Sequence, residues 1–295
     1  MRKLAIHLFF IIVALITVVS LAGAEDALLK PYVLASSVPG TINKKLADVK
    51  AAVGQQGFQV VGEYAPYKGA YVIVVSSDAL KKSAAQSNFG AYGAIQRIAL
   101  TEVGSNLQIS YTNPLYMAQA YRMKDSLSDI AAGLEKALGK KTEYGAKDGI
   151  KASNLRKYHY MVMMPYFTDQ VQLASYGSQE DALKTVEANL AARKGGTLKV
   201  FRVDLPNKKE SVFGVGLSEG DGADSTVMKI TDFGDPKQTA HLPYDIVVSN
   251  GTVYMLHGKF RIAASFPDLT MGTFMKISGA PSAIEEKLKL VAGGK

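Results

Sequence analysis

The densest run of chemistry-bearing side chains is Tyr158-His159-Tyr160-Met161-Val162-Met163-Met164. Read as part of a strand over residues 158–166, it projects His159, Met161 and Met163 to one side, because alternate residues of a strand share a face. One imidazole and two thioethers form a soft donor set that suits Cu(I). A copper- or haem-handling protein is therefore one reading of His159, Met161 and Met163. The same methionines also fill irregular gaps in a core or an interface, and that packing role is the favoured reading. No metal or other cofactor is assigned to the chain.

The other histidines, His7, His241 and His257, are scattered and form no His-Glu-x-x-His pattern, so zinc has little support. Absence of cysteine excludes a disulfide scaffold, a thiolate metal site, an iron–sulfur cluster and a thiol nucleophile. Gly216-Leu217-Ser218-Glu219-Gly220 has the Gly-x-Ser-x-Gly spacing of a nucleophile elbow, which needs a strand before the serine and a helix after it. A strand is readable just before, but Asp221-Gly222-Ala223-Asp224-Ser225 has loop composition. Asp235 and His241 follow in the order of a hydrolase triad without a hydrolase scaffold around them, so a hairpin loop is expected. Glu219, Asp221 and Asp224 lack EF-hand spacing. Arg261 is expected on a surface strand, paired with Asp268 for about 0–1 kcal/mol. No catalytic residue is assigned. Tyr64, Tyr67, Tyr71, Tyr111, Tyr116 and Tyr121 offer rings with polar tips that suit the wall of a groove.

The elements that would position these groups are legible as periodicities. Ile42, Leu46, Val49 and Val53 fall on one helical face, as do Leu183, Val186 and Leu190. Gly57 and Gly195-Gly196 mark the ends of these helices. Leu34-Ala35-Ser36 precedes the first helix and recurs as Leu173-Ala174-Ser175 before the second. Leu115, Met117, Ile130, Leu134 and Gly139 match Leu269, Met271, Ile284, Leu288 and Gly293 at a constant offset of 154 residues. This self-similarity predicts a duplication. The expected fold class is α+β: two similar units, each a mainly antiparallel sheet with helices packed on one face. Strands are expected at Ser225–Ile230 and Lys259–Ser265 among others, and Asn250-Gly251 signals a two-residue hairpin. The expected boundaries are a signal peptide at 1–24, a first unit at 25–139, a linker at 140–157 and a second unit at 158–295.

The order Thr41, Leu46, Val49, Val53 and Gly57-Phe58, a strand pair, then Ser110-Tyr111-Thr112-Asn113-Pro114 and a terminal helix resembles the bacterial domain-of-unknown-function family numbered 302. The resemblance implies small α+β domains with no common reaction. The second copy has Phe266-Pro267-Asp268 where the first has Thr112-Asn113-Pro114, which separates the two at that position.

Composition places the protein in a compartment. Arg2 and Lys3 precede the apolar run Leu8–Leu21, and Ala22-Gly23-Ala24 is a small-x-small cleavage site. The run is shorter than the ~20 residues of a spanning helix. Cleavage after Ala24, export to the periplasm or secretion, and no membrane span in the mature chain are expected. The 295 residues carry a net charge of +8, and losing Arg2 and Lys3 leaves +6. The lysine pairs are dispersed and no nucleic-acid motif occurs. The expected function is that of an exported binding or interaction protein. Its partner is a small apolar ligand or another envelope protein, and no catalytic machinery is evident.

Overall fold

The computed structural model describes residues 27–294; the expected leader at 1–24 lies outside the described residues. The chain begins with the short strand β1 (Leu28–Leu29) and β2 (Tyr32–Pro39). Helix α1 (Ile42–Gln55) follows, burying Val49 and Val53. Its Thr41 cap offers no side-chain bond; instead Glu102 Oε1 accepts from the Ile42 backbone N–H at 3.0 Å. A carboxylate there satisfies an orphan donor and meets the positive end of the helix dipole. Then come β3 (Gln59–Tyr64), β4 (Ala70–Ser76) and α2 (Asp78–Ala85), the last capped by Ser77 Oγ on Leu80 N–H. A 3-10 turn at Gly90–Gly93 leads into β5 (Gln96–Val103) and β6 (Asn106–Thr112). Helices α3 (Pro114–Ala120) and α4 (Ser128–Leu138) close this half.

The stretch expected as a linker carries structure of its own. β7 (Thr142–Tyr144) pairs antiparallel with β2, β8 (Ile150–Lys151) pairs with β1, and α5 (Ala152–Leu155) follows. The second half runs β9 (Val171–Ser175), α6 (Gln179–Ala191), β10 (Thr197–Asp204), β11 (Glu210–Leu217) and α7 (Asp224–Thr231). A 3-10 turn at Thr239–His241 precedes β12 (Tyr244–Ser249) and β13 (Thr252–Met255). Helices α8 (Gly258–Ser265), α9 (Met271–Met275) and α10 (Ala280–Ala292) complete it.

The architecture is α+β, with two large antiparallel sheets besides the two-stranded β1–β8 pair. Strand order is β3-β4-β5-β6-β2-β7 in the first and β10-β11-β12-β13-β9 in the second. Counted from its own first strand, each sheet runs second, third, fourth, fifth, first, with β7 added to one. Bulges fall in β3 between Val60 and Gly62 and in β10 between Lys199 and Phe201. These two edge strands meet: a Cβ on Gly62 would stand 2.2 Å from the Val200 carbonyl oxygen. Helices α1 and α4 pack on the first sheet, and α6 and α10 on the second. β4 has Val72, Ile73, Val74 and Val75 wholly buried in succession, so both of its faces are covered.

Each half also docks a turn onto the other. The Gly90–Gly93 turn packs on β11 and β12, and the Thr239–His241 turn packs on β4, β5 and β6. Ala91 N–H donates to Glu210 Oε1 at 2.9 Å, while the Thr101 hydroxyl donates to Thr239 Oγ1 at 2.9 Å.

Three expected strands are something else. Ser225–Ile230 lies in α7, because Asp224, Val227, Met228 and Thr231 share the buried side only at helical spacing. Lys259–Ser265 lies in α8, whose residues Phe260–Ser265 are all buried, leaving no amphipathic stripe to read. Residues 158–166 form an irregular loop. The Asn250-Gly251 hairpin is present, with φ of 51° and 85°, both on the positive side that a type I′ turn requires.

Candidate functional site

Loss of the strand at 158–166 changes the geometry of the soft donor set. His159, Met161 and Met163 sit in one surface loop, arranged by turns rather than by a shared strand face. His159 Nδ1 is hydrogen-bonded to the Met161 carbonyl oxygen at 2.7 Å, and its ring lies against Tyr166 at 4.4 Å between centroids. Met163 adopts φ 69° and is 98% exposed. The loop is pinned by Tyr160, whose hydroxyl donates to the Leu269 carbonyl oxygen at 2.8 Å.

The Gly-x-Ser-x-Gly motif does not form a nucleophile elbow. Ser218 stands at the end of β11, its hydroxyl donates to the Gly196 carbonyl oxygen at 2.7 Å, and α7 begins only at Asp224. Asp235 Oδ1 accepts instead from the Gln108 side chain. His241 is enclosed by Tyr244 and Phe266 in the core. Asp224 turns inward, accepting from Tyr64 at 3.2 Å and Leu217 N–H at 3.1 Å, so it does not join the exposed Glu219 and Asp221. Among the described residues no group of three or more His, Asp or Glu side chains is arranged to hold a metal ion.

Arg261, expected at the surface, is buried and belongs to an ionic cluster between the halves. Arg97 from β5 bonds Asp245 Oδ2 from β12, with side chains 3% and 1% exposed. Arg261 Nη2 lies 3.8 Å from the same carboxylate and donates to the carbonyl oxygens of His241 and Pro243 at 2.6 Å each. Two guanidiniums thus share one carboxylate in a low-dielectric interior. Burial, reinforced by Arg261 and Arg97, holds the His241 imidazole well below its ordinary pKa and therefore neutral. Arg97 Nε, Arg261 Nε, Asp245 Oδ1 and His241 Nδ1 make no hydrogen bond among the described residues. The sequence signal for this cluster is a charge next to an apolar run inside a strand, as in Arg97-Ile98-Ala99-Leu100 and Tyr244-Asp245-Ile246-Val247.

An open cleft of about 420 Å³ has walls from both halves. The first half contributes Tyr67, Lys68, Gly69, Thr101 and Glu102; the second contributes Met228, Lys229, Asp232, Phe233 and Lys237. Phe233 is 68% exposed, an unusual position for a large ring. Lys237 Nζ donates to the Asp232 carbonyl oxygen at 3.0 Å, and Lys68 and Lys229 make no ion pair with a carboxylate among the described residues. Desolvation pushes the Asp232 carboxyl up to about 6. Of the tyrosines expected to line a groove, Tyr67 lines this cleft and Tyr111 a separate hollow beside Asn113 and Glu135, whereas Tyr64, Tyr116 and Tyr121 are core residues.

No family model matches this chain, and no curated protein or solved structure matches it either. No helix among the described residues is long and apolar enough to cross a membrane.

Proposed function

We propose that the protein is an exported, non-enzymatic binding module in which two copies of one α+β unit enclose a ligand cleft. The single observation that carries this reading is the 420 Å³ cleft walled by both halves. Its size lies in the range of small-molecule sites. Lys68, Lys229 and Lys237 outnumber Glu102 and Asp232 and favour an anionic group, and Phe233, Tyr67 and Met228 favour an apolar or aromatic body. This narrows the expected partner, a small apolar ligand or an envelope protein, to a small amphiphilic anion. The equal strand order of the two sheets and their reciprocal turn docking support the duplication. Relationship to the family numbered 302 belongs to the same proposal, carried by the residues quoted for it.

Native mass spectrometry of the protein purified from its own cells tests this. A small acidic molecule is expected to stay bound, and Lys68→Gln with Lys229→Gln is expected to release most of it. Both lysines are exposed, so the doubly substituted chain should fold normally. Retention unchanged in that variant, or no retained molecule in either, sinks the assignment of the cleft.

A further inference from the structure

Of the eleven large apolar side chains exposed among the described residues, five lie on two segments that meet, Met161, Val162 and Met163 on the 158–166 loop and Met271 and Met275 on α9, and a sixth, Leu28, lies on β1, whose partner β8 runs into α5 and the loop. Val162 is 82% exposed and Met163 98%. The cluster is continuous through its floor. Tyr160 and Met164 from the 158–166 loop share a small apolar hollow with Met271 and Phe274 of α9. Leu269 and Phe266 of that hollow also line the next depression, which reaches Gly145 and Phe233.

Among the described residues the surrounding charge has one prevailing sign, while Glu25 and Asp26, which precede them in sequence, are acidic. Lys30, Lys147, Lys157, Lys259 and Lys276 lie on or beside these segments, against Asp148, Asp169 and Asp268. Two of the three aspartates are occupied by backbone: Asp169 accepts from Tyr166 N–H and Asp268 from Lys147 N–H. The chain also enters the described structure here. The Ala27 carbonyl accepts from Ala152 N–H, and β1 pairs with β8 immediately before α5 and the loop. The preceding residues 1–26 carry the apolar run Leu8–Leu21.

We propose that this face docks on an anionic lipid bilayer, with Val162 and Met163 entering the acyl boundary and the lysines meeting the headgroups. Protruding flexible apolar side chains ringed by lysine are what an interfacial anchor needs, since apolar burial and attraction to anionic lipid add. Met161–Met164 then needs no bound metal to account for its exposure.

The chain has no tryptophan, so an introduced one is the sole indole emitter. Val162→Trp tests the loop and Val38→Trp, on β2, serves as the control; both replace exposed residues. With vesicles of phosphatidylcholine containing phosphatidylglycerol, emission at 162 is expected to shift to the blue while emission at 38 stays put. Adding Met163→Asp should remove the shift. Lys157→Glu with Lys276→Glu should weaken binding at least about tenfold. The comparison is position-specific, so it holds whether or not residues 1–26 remain attached. No shift at 162, an equal shift at 38, or an equal shift on pure phosphatidylcholine overturns the proposal.

Discussion

The buried carboxyls carry a pH dependence that surface groups do not. Asp224 is pushed up to about 7 and Asp232 up to about 6, in both cases mainly by desolvation. Each folded pKa exceeds the unfolded value near 3.9, so the native state binds more protons in between. Their stabilising contribution is full below about pH 4 and fades as pH rises through 6 and 7. His241 works in the opposite sense: held neutral by burial, it costs stability as pH falls below about 6.5. Asp224→Asn separates the two. Its amide still accepts from Leu217 N–H and Tyr64, but nothing ionises. Urea denaturation at pH 5 and pH 8 should show the parent losing more stability with rising pH than the variant. The gap scales at about 1.4 kcal/mol per unit of pKa displacement, and the full displacement sets its ceiling. An identical pH slope in both proteins would mean that Asp224 is ionised throughout.

At the scale of elements, the seam between the sheets depends on a missing side chain. Gly62 sits at the β3 bulge against the backbone of Val200, with the carbonyl oxygen 2.2 Å from any added Cβ. Backbone cannot step aside as a long side chain would. Gly62→Ala should therefore cost about 1–3 kcal/mol, read as a lower melting temperature. Gly54→Ala, in α1 with nothing within 4 Å, should be neutral or stabilising by up to about 1 kcal/mol. Equal effects at the two sites would remove the seam from the account. Such a contact has no sequence signature, which explains part of what was and was not legible. α1, α4, α6 and α10 were readable because each presents an apolar stripe to a sheet and a polar side to water. The Asn250-Gly251 turn was readable because its backbone demands those residue types. α8 was not, because Phe260 to Ser265 are buried on all sides and Arg261 is among them. The 158–166 loop imitates a strand because it is a short apolar run, although Met161, Val162 and Met163 protrude instead of packing. The cleft is assembled from segments more than 100 residues apart, such as Lys68 and Lys229, and no local pattern announces it.

At the scale of the molecule, the question is what fixes one half against the other. Arg97 and Asp245 each occupy the second position of the corresponding strand, β5 and β12, of the two sheets. They face each other across the junction between the two sheets. Apolar contact alone would allow the halves to slide, whereas an ion pair with 3% and 1% exposure tolerates one register. Burying three charges is costly, and the pair repays desolvation only while complete. Asp245→Asn leaves two guanidiniums in the interior with no anion and should cost about 3–5 kcal/mol. Replacing Arg97, Asp245 and Arg261 together by Met, Leu and Met removes the charge problem and should recover most of that loss. If register is what the cluster supplies, the recovered stability comes without recovered function: the triple variant should melt near the parent temperature yet fail to retain the cleft ligand. A triple variant that binds as the parent does would show that apolar packing of the two turns already sets the geometry. Asp245→Asn within 1 kcal/mol of the parent would show that Arg97 and Arg261 find other partners.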